Sequence, residues 1–330
     1  MSQPTRDPQS EPARDLTRDL TRGGGAPSPL DPPLTPSHGV RRVTVIGAGT
    51  MGHGIAGQAA LCGFEVRLFD PSEDALEGGL ARIAEIYSKG VERGKVSAEA
   101  REGALARLSG VRGGAGGGGA RAGAALASEG ADLVIEAIPE RVELKRALFA
   151  EVEPAVAPGA LLASNTSSLS ISSIAEGLAH PERLLGMHFF NPVAVMPLLE
   201  LVRGAQTSEE AVRRARAVGE ALQKTCIVVK DSPGFATSRL GIALGNEAMR
   251  MFEEGVASAE DIDRAMVLGY KHPIGPLALT DLVGLDVRLS ISEHLHRELG
   301  SDTFKPPQIL RDKVARGELG KKVGRGFYPY

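Results

Sequence analysis

The feature that most constrains this chain is one turn and what flanks it. Residues 41–46, Arg-Arg-Val-Thr-Val-Ile, form a β-branched run that ends in glycine, the pattern of a buried parallel strand. Gly47-Ala48-Gly49-Thr50-Met51-Gly52 follows, and a helix-permissive stretch continues over 51–62. Gly47 permits the tight turn, Gly49 lets the backbone approach a pyrophosphate, and Gly52 lets the helix pack close to the strand. The start of that helix, with Thr50 and Met51, offers free N–H groups and a partial positive charge to phosphates. A second strand over 65–69 ends at Asp70, close to the ~20-residue spacing at which an acid meets the ribose hydroxyls. A carboxylate there repels a 2′-phosphate, which favours NAD over NADP. Asp70 has a competing reading as a helix cap, because Pro71-Ser72-Glu73 suits a helix start. Strand, glycines, helix and acid together read as a dinucleotide site.

The rest of the chain supplies the scaffold for such a site. Strand signals recur at 132–136, 160–163, 184–189, 198–202 and 226–229. Helical stretches are expected over 76–91, 98–108, 142–152 and 209–223. This alternation predicts a Rossmann-type α/β domain with a mostly parallel sheet covered on both faces. Residues 113–119 hold six glycines and read as a flexible surface loop. After Lys230 the β-branched runs stop, and helices are expected over 239–254, 259–268, 285–299 and about 308–316. Asp231-Ser232-Pro233-Gly234 marks the change. The expected organisation is a disordered tail over 1–39, an NAD-binding domain over 40–229 and an all-helical C-terminal domain over 230–330. The tail contains the repeat DLTR-DLTR and the acids Asp7, Glu11, Asp15, Asp19 and Asp31, which argues against a mitochondrial transit segment.

Composition removes several function classes. A formal net charge of −3 leaves no broad basic surface for nucleic acid. There is no Trp, and aromatic residues make up only 4% of the chain, so base-stacking platforms are not expected. No apolar run reaches the roughly 18 residues of a membrane span. Two distant cysteines, Cys62 and Cys226, have no metal-type spacing and read as reduced thiols of a cytoplasmic protein. No metal site is expected.

Moving a hydroxyl proton calls for a group that titrates near neutrality, most often a histidine oriented by a carboxylate. Of the seven histidines, His188 stands apart. It ends an apolar strand between Met187 and Phe189, and strand ends face the crevice in open α/β sheets. A core histidine with a local partner is the competing reading.

Several segments resemble the 3-hydroxyacyl-CoA dehydrogenase family. They are Gly186-Met187-His188-Phe189-Phe190-Asn191-Pro192 with its continuation to Glu200, Val134-Ile135-Glu136-Ala137-Ile138-Pro139-Glu140, and Asn165-Thr166-Ser167-Ser168-Leu169-Ser170. Lys230-Asp231-Ser232-Pro233-Gly234-Phe235 and Gly269-Tyr270-Lys271-His272-Pro273-Ile274-Gly275-Pro276 match as well. So do Leu282-Val283-Gly284-Leu285-Asp286 and the tail from Gly320 to Tyr328. The resemblance runs from about Arg41 to the end, and short-chain members acting on 3-hydroxybutyryl-CoA are the most similar.

The resemblance implies reversible, NAD-dependent oxidation of an (S)-3-hydroxyacyl-CoA by a homodimer. The runner-up is a relative acting on a free hydroxy acid or sugar acid. A structural, lens-crystallin-like relative is the non-enzyme alternative. His188 is implied as acid/base, and Glu200 as the acid that holds its ring. Ser167 is implied at the substrate oxygen and the cofactor, and Asn191 at the nicotinamide end. Glu140, Lys145 and Lys322 match cofactor-contacting positions. Arg93 and Lys95, with Lys89, are candidates for the CoA phosphates. In one place the chain departs from the pattern. Where the family carries an asparagine that meets the substrate carbonyl, this chain has Ser238 within Ala236-Thr237-Ser238-Arg239. Serine keeps a donor on a shorter arm, so the contact is expected to weaken or to run through water.

Overall fold

The structure, a computed structural model, describes residues 38–112 and 119–330. The tail repeat and most of the glycine-rich stretch lie outside those residues. Ser37–Tyr330 form one compact unit, and its first described residue, His38, is buried with its ring against Phe64.

Eight strands make one sheet in the order β3-β2-β1-β4-β5-β6-β7-β8. In chain order they are β1 (Arg42–Ile46), β2 (Glu65–Phe69), β3 (Leu108–Val111), β4 (Leu133–Glu136), β5 (Leu161–Ser164), β6 (Leu184–Phe189), β7 (Leu198–Arg203) and β8 (Thr225–Lys230). The first six are parallel, and the strand order reverses between β1 and β4, the point at which open α/β sheets bind ligands. β7 turns back antiparallel to β6, and β8 runs parallel to β7.

The helices of this half are α1 (Thr50–Leu61), α2 (Glu73–Glu92), α3 (Ala98–Ala106), α4 (Gly119–Ala127), α5 (Val142–Val152), α6 (Ile171–Ile174) and α7 (Glu209–Ala221). β4, β5 and β6 are buried at every position, as strands covered on both faces must be. Alternate residues feed two cores. Val43, Val45, Leu133, Ile135, Leu185 and Met187 pack on one face with α1, α2 and α7. Val134, Leu162, Leu184 and Val202 pack on the other with Phe149 and Val152 of α5. The helical half then adds α8 (Thr237–Glu253), α9 (Ala259–Arg264), α10 (Pro276–Val283), α11 (Leu285–Leu299) and α12 (Gln308–Ala315), with a smaller core around Met249, Leu277, Leu285 and Leu310.

The expected α/β class with a helical C-terminal half matches this architecture. Three details differ from the sequence reading. The helix expected over 98–108 stops at Ala106, and Leu108–Val111 is an edge strand. Its Ser109 and Gly110 are exposed, so it carries no hydrophobic run to announce it. α4 begins at Gly119, inside the stretch read as loop. α10 was missed because Pro276 reads as a breaker, yet proline at the first helical turn gives up only an N–H that has no partner anyway.

Candidate active site

The glycine loop fits a dinucleotide for three separate reasons visible at its backbone. Gly47 has φ +99°, and a Cβ there would lie 2.7 Å from the Ala137 carbonyl of the neighbouring strand's end. A Cβ on Gly52 would come within 1.6 Å of the Gly47 oxygen, so α1 reaches its strand only because that side chain is absent. A Cβ on Gly49 would meet no protein atom within 4 Å. Its lack of a side chain serves no internal packing and leaves the mouth of α1 open to a phosphate. Thr50 and Met51 form the first turn of α1 above it.

Asp70 directly follows β2 and accepts hydrogen bonds from the Ala48 amide (2.9 Å) and the Ser72 amide (3.0 Å). The capping alternative resolves to its neighbour: Ser72, not Asp70, caps α2 by accepting from the Ala75 amide. Asp70 instead ties the glycine loop to the end of β2.

The proton-handling pair follows from the strand reversal. In the antiparallel β6–β7 ladder His188 lies directly opposite Glu200, where facing side chains stand about 5 Å apart. His188 Nδ1 is 2.7 Å from Glu200 Oε2, and Glu200 has no exposed surface. The glutamate is held on three further sides. Its Oε1 accepts from the Ala236 amide (3.2 Å) and the Thr237 amide (3.0 Å), and its Oε2 accepts from the Thr237 hydroxyl (2.8 Å). These donors are the start of α8, so the acid also sits at a positive helix end. Burial alone would raise the Glu200 pKa, but the hydrogen bonds from His188 and Thr237 outweigh it and hold the acid below the usual carboxylate range. His188 is itself mostly buried, with Phe190 and Phe235 beside its ring at 4.5 and 5.8 Å.

A second cluster lies at the ends of β4 and β5. Glu140 Oε1 accepts from the Thr166 hydroxyl (2.6 Å), the Ser167 amide (2.9 Å) and the Ser168 amide (3.2 Å), and lies 3.3 Å from the Ser167 hydroxyl. Ser167 is therefore presented on a loop that Glu140 pins. Lys145 is 1% exposed and donates to both oxygens of Glu136 at 2.8 Å, with Glu140 at 3.4 Å and the Ile138 carbonyl at 3.3 Å. The Ser164 hydroxyl bonds Glu136 as well. Lys145 is thus not a solvated helix charge: it is the buried centre of an ionic strut under the loop.

Other expected site residues are less tightly gathered. Asn191 is exposed on the turn after β6, at a cis bond to Pro192. Lys322 lies in the C-terminal tail with its ammonium 2.5 and 2.7 Å from Asp286, at the start of α11. Arg93 and Lys95 are exposed in the turn after α2, while Lys89 pairs with Glu85 at 2.5 Å. Ser238 occupies the first turn of α8, partly buried, beside the Thr237 that holds Glu200.

Sequence reasoning gave no role to Glu136, Asn165, Thr166 or Thr237. The first three stood inside motifs already singled out, but only contacts assign them: the Asn165 side chain accepts from the Phe189 amide (2.9 Å) and so aligns the end of β6 with β5. Thr237 left no signal, because its partner is 37 residues away.

A glycine-loop dinucleotide site and a buried His–Glu dyad, both at the carboxyl edge of one parallel sheet, define an NAD-linked dehydrogenase of hydroxyl carbons. Residues 42–232 match the family profile described as 3-hydroxyacyl-CoA dehydrogenase, NAD binding domain, and residues 234–330 match its C-terminal domain. The chain belongs to the 3-hydroxyacyl-CoA dehydrogenase family. It is 43% identical to a probable 3-hydroxybutyryl-CoA dehydrogenase of Bacillus subtilis over 88% of this chain and 98% of the relative. Among solved structures it resembles (S)-3-hydroxybutyryl-CoA dehydrogenase PaaH1 from Ralstonia eutropha, with 40% identity, TM-score 0.81, and coverage of 88% of this chain and 99% of that one. FadB2 of M. tuberculosis superposes equally well, with TM-score 0.81 at 41% identity over 88% of this chain and 99% of that one.

Proposed function

We infer that the protein is an NAD-dependent (S)-3-hydroxyacyl-CoA dehydrogenase of the 3-hydroxybutyryl-CoA type, interconverting the C3 hydroxyl and carbonyl of an acyl-CoA. The observation that carries this reading is the His188–Glu200 pair at 2.7 Å, built near the carboxyl end of β6, on the same edge of the sheet as the glycine loop that follows β1. When bound, NAD supplies the two-electron acceptor, and Gly47, Gly49, Thr50, Met51, Gly52 and Asp70 would hold it.

The chain's own residues then divide the remaining work. With Nδ1 engaged by Glu200, the Nε2 of His188 is the free nitrogen that takes the C3 hydroxyl proton in oxidation and returns it in reduction. Glu200 fixes the ring's orientation and stabilises the imidazolium that forms. Ser167 donates to the substrate oxygen from a loop whose backbone Glu140 restrains, and Asn191 meets the nicotinamide end. Lys145 acts at the cofactor mainly by holding Glu140 in place. Lys322 reaches the cofactor only by exchanging its bond to Asp286. Ser238 stands where a longer asparagine arm would meet the substrate carbonyl, and Arg93 and Lys95 are placed to meet CoA phosphates.

The same reading assigns residues 40–229 to cofactor binding and 230–330 to the cleft's second wall and to a homodimer contact. Exposed Leu240, Leu268 and Tyr270 on the helical half support that contact. Two free cysteines support a cytoplasmic setting. Following NADH oxidation with acetoacetyl-CoA tests the function. Turnover is expected; reduction of NAD by a sugar acid instead would favour the free-acid alternative, and NADH binding without any turnover would favour a structural relative.

A further inference from the structure

The turn between α7 and β8 buries a charge that the proton chemistry does not use. Lys224 is 7% exposed, and no carboxylate of the described residues pairs with it. Burial holds its pKa below the ordinary lysine value, an effect that the nearby Cys62 thiol only partly offsets. Buried cations are normally matched by an acid, because one left without it is costly to retain. What Lys224 touches instead is two carbonyls. Its Nζ donates to the Val193 oxygen (2.5 Å) and the Met196 oxygen (3.0 Å), and no backbone amide of the described residues reaches either one.

Both carbonyls belong to the loop that joins β6 to β7, the loop that carries Asn191. Asn191, Pro192, Ala194 and Val195 are exposed there. The loop's own bonds run from the Val195 and Met196 amides to the Pro192 carbonyl, each at 3.0 Å, and Pro197 joins the sheet through the Thr225 amide at 2.7 Å. Val193 turns inward, 3% exposed, and packs on α1: a Cβ on Gly54 would stand 3.0 Å from its Cγ2. One turn further along α1, Gln58 donates to the Leu222 carbonyl (3.1 Å), two residues before Lys224. The Asn191 loop is therefore tied to the cofactor helix twice. Val193 makes the direct contact, and Lys224 makes the second through the turn on which it stands.

We propose that Lys224 is a positioning residue for the nicotinamide: by holding the Val193 and Met196 carbonyls it fixes the loop that bears Asn191 against the helix that takes the pyrophosphate. This rests on the dehydrogenase reading, which puts Asn191 at the nicotinamide end. An ammonium suits the task, because one compact atom with three donors on a flexible stem can meet two carbonyls three residues apart. Gly47, Gly49, Gly52 and Asp70 serve the adenylate and pyrophosphate half of the cofactor without it, so Lys224 acts on the other half alone. That half is the sensitive one, since a misplacement of about 1 Å can cost roughly 10²-fold in rate.

The test compares, by calorimetry, the affinities for NADH and for ADP-ribose, which lacks the nicotinamide. Lys224→Met keeps most of the stem and removes the donors. It should weaken NADH at least fivefold while ADP-ribose changes less than twofold. With acetoacetyl-CoA, kcat should fall at least tenfold and KM for that substrate should stay within threefold. Equal weakening of the two ligands, an unchanged NADH affinity or an unchanged kcat overturns the proposal, because a lysine that only supports the fold moves both ligands or neither. If the methionine variant binds neither ligand, Lys224→Gln, which keeps one donor, decides the matter: NADH should weaken at least twofold relative to ADP-ribose, and an unchanged ratio overturns the proposal. Absence of wild-type turnover of acetoacetyl-CoA would sink the dehydrogenase reading itself, and the NADH to ADP-ribose ratio would still decide what Lys224 positions.

Discussion

Glu136 and Glu200 are two glutamates with no exposed surface, each bonded to a basic side chain at under 3 Å, and they do opposite things. Glu136 ends β4 and meets Lys145, whose compact ammonium makes all of its contacts within the cluster. Glu200 lies in β7 and meets His188, whose second ring nitrogen makes no hydrogen bond within the described protein. An ammonium whose hydrogens all go to Glu136 and the Ile138 carbonyl presents none to a substrate, so the first pair is a strut. A histidine with one nitrogen held and one open can pass a proton, so the second pair is a shuttle. The partner, not the carboxylate, decides the role.

The sharpest way to break that comparison is to remove the shuttle's asymmetry. Glu200→Gln keeps an oxygen for the Ala236 and Thr237 amides but presents an NH2 group to His188 Nδ1, which turns the ring to the wrong tautomer. We expect kcat to fall by about 10²–10⁴-fold, the range of acid–base and tautomer effects. NADH affinity should change little, and His188→Gln should reach a similar floor. Loss of NADH binding in parallel with kcat would mean that this pair, too, is structural.

Lys145→Met addresses the strut. It leaves Glu136 buried with only the Ser164 hydroxyl and the Ile138 amide as donors. Breaking one side of a buried pair costs about 3–5 kcal/mol, to be read as a lowered midpoint in urea. A double change to Glu136→Leu with Lys145→Met should recover much of that loss, since apolar replacement of whole buried pairs is often neutral. Failure to recover would show that Lys145 does more than neutralise Glu136.

Smaller effects are expected where the two pairs meet their supports. Thr237→Val keeps the shape of the side chain and removes one hydrogen bond to Glu200 while both backbone amides remain. A single such bond is worth about 1 kcal/mol, so kcat should fall roughly fivefold with KM for NADH unchanged. A stability loss with unchanged kcat would place Thr237 in the fold alone.

How much of this was legible in the sequence depends on the distance over which each contact acts. The cofactor loop was legible because Gly47, Gly49 and Gly52 act on their own turn, and the next strand must end near Asp70. The buried strands were legible because a sheet covered on both faces demands unbroken apolar runs. The dyad was legible only as a resemblance: the register that sets His188 against Glu200 comes from an antiparallel reversal that local pattern does not specify. The edge strand Leu108–Val111 was hidden because an exposed edge needs no apolar signature.

The mildest prediction concerns acid. Glu200 and Glu140 both titrate below the ordinary carboxylate range. In each, burial pushes upward and is outweighed, by His188 and Thr237 at Glu200 and by Lys145, Thr166 and Ser167 at Glu140. A depressed folded pKa means that the unfolded chain takes up protons first as pH falls. The stabilisation from these groups is therefore complete above the ordinary value of about 4.5. It drains away as pH drops through their lower folded values, and it is indifferent to pH between 6 and 8. Melting temperature should stay level across the neutral range and decline below about pH 4.5. Glu140→Gln should start lower and decline less steeply, because its share of the proton uptake is gone. An equal slope in the variant would mean that Glu140 is not bound more tightly as a carboxylate in the folded state, and that the loop bearing Ser167 is held by Thr166 and backbone alone.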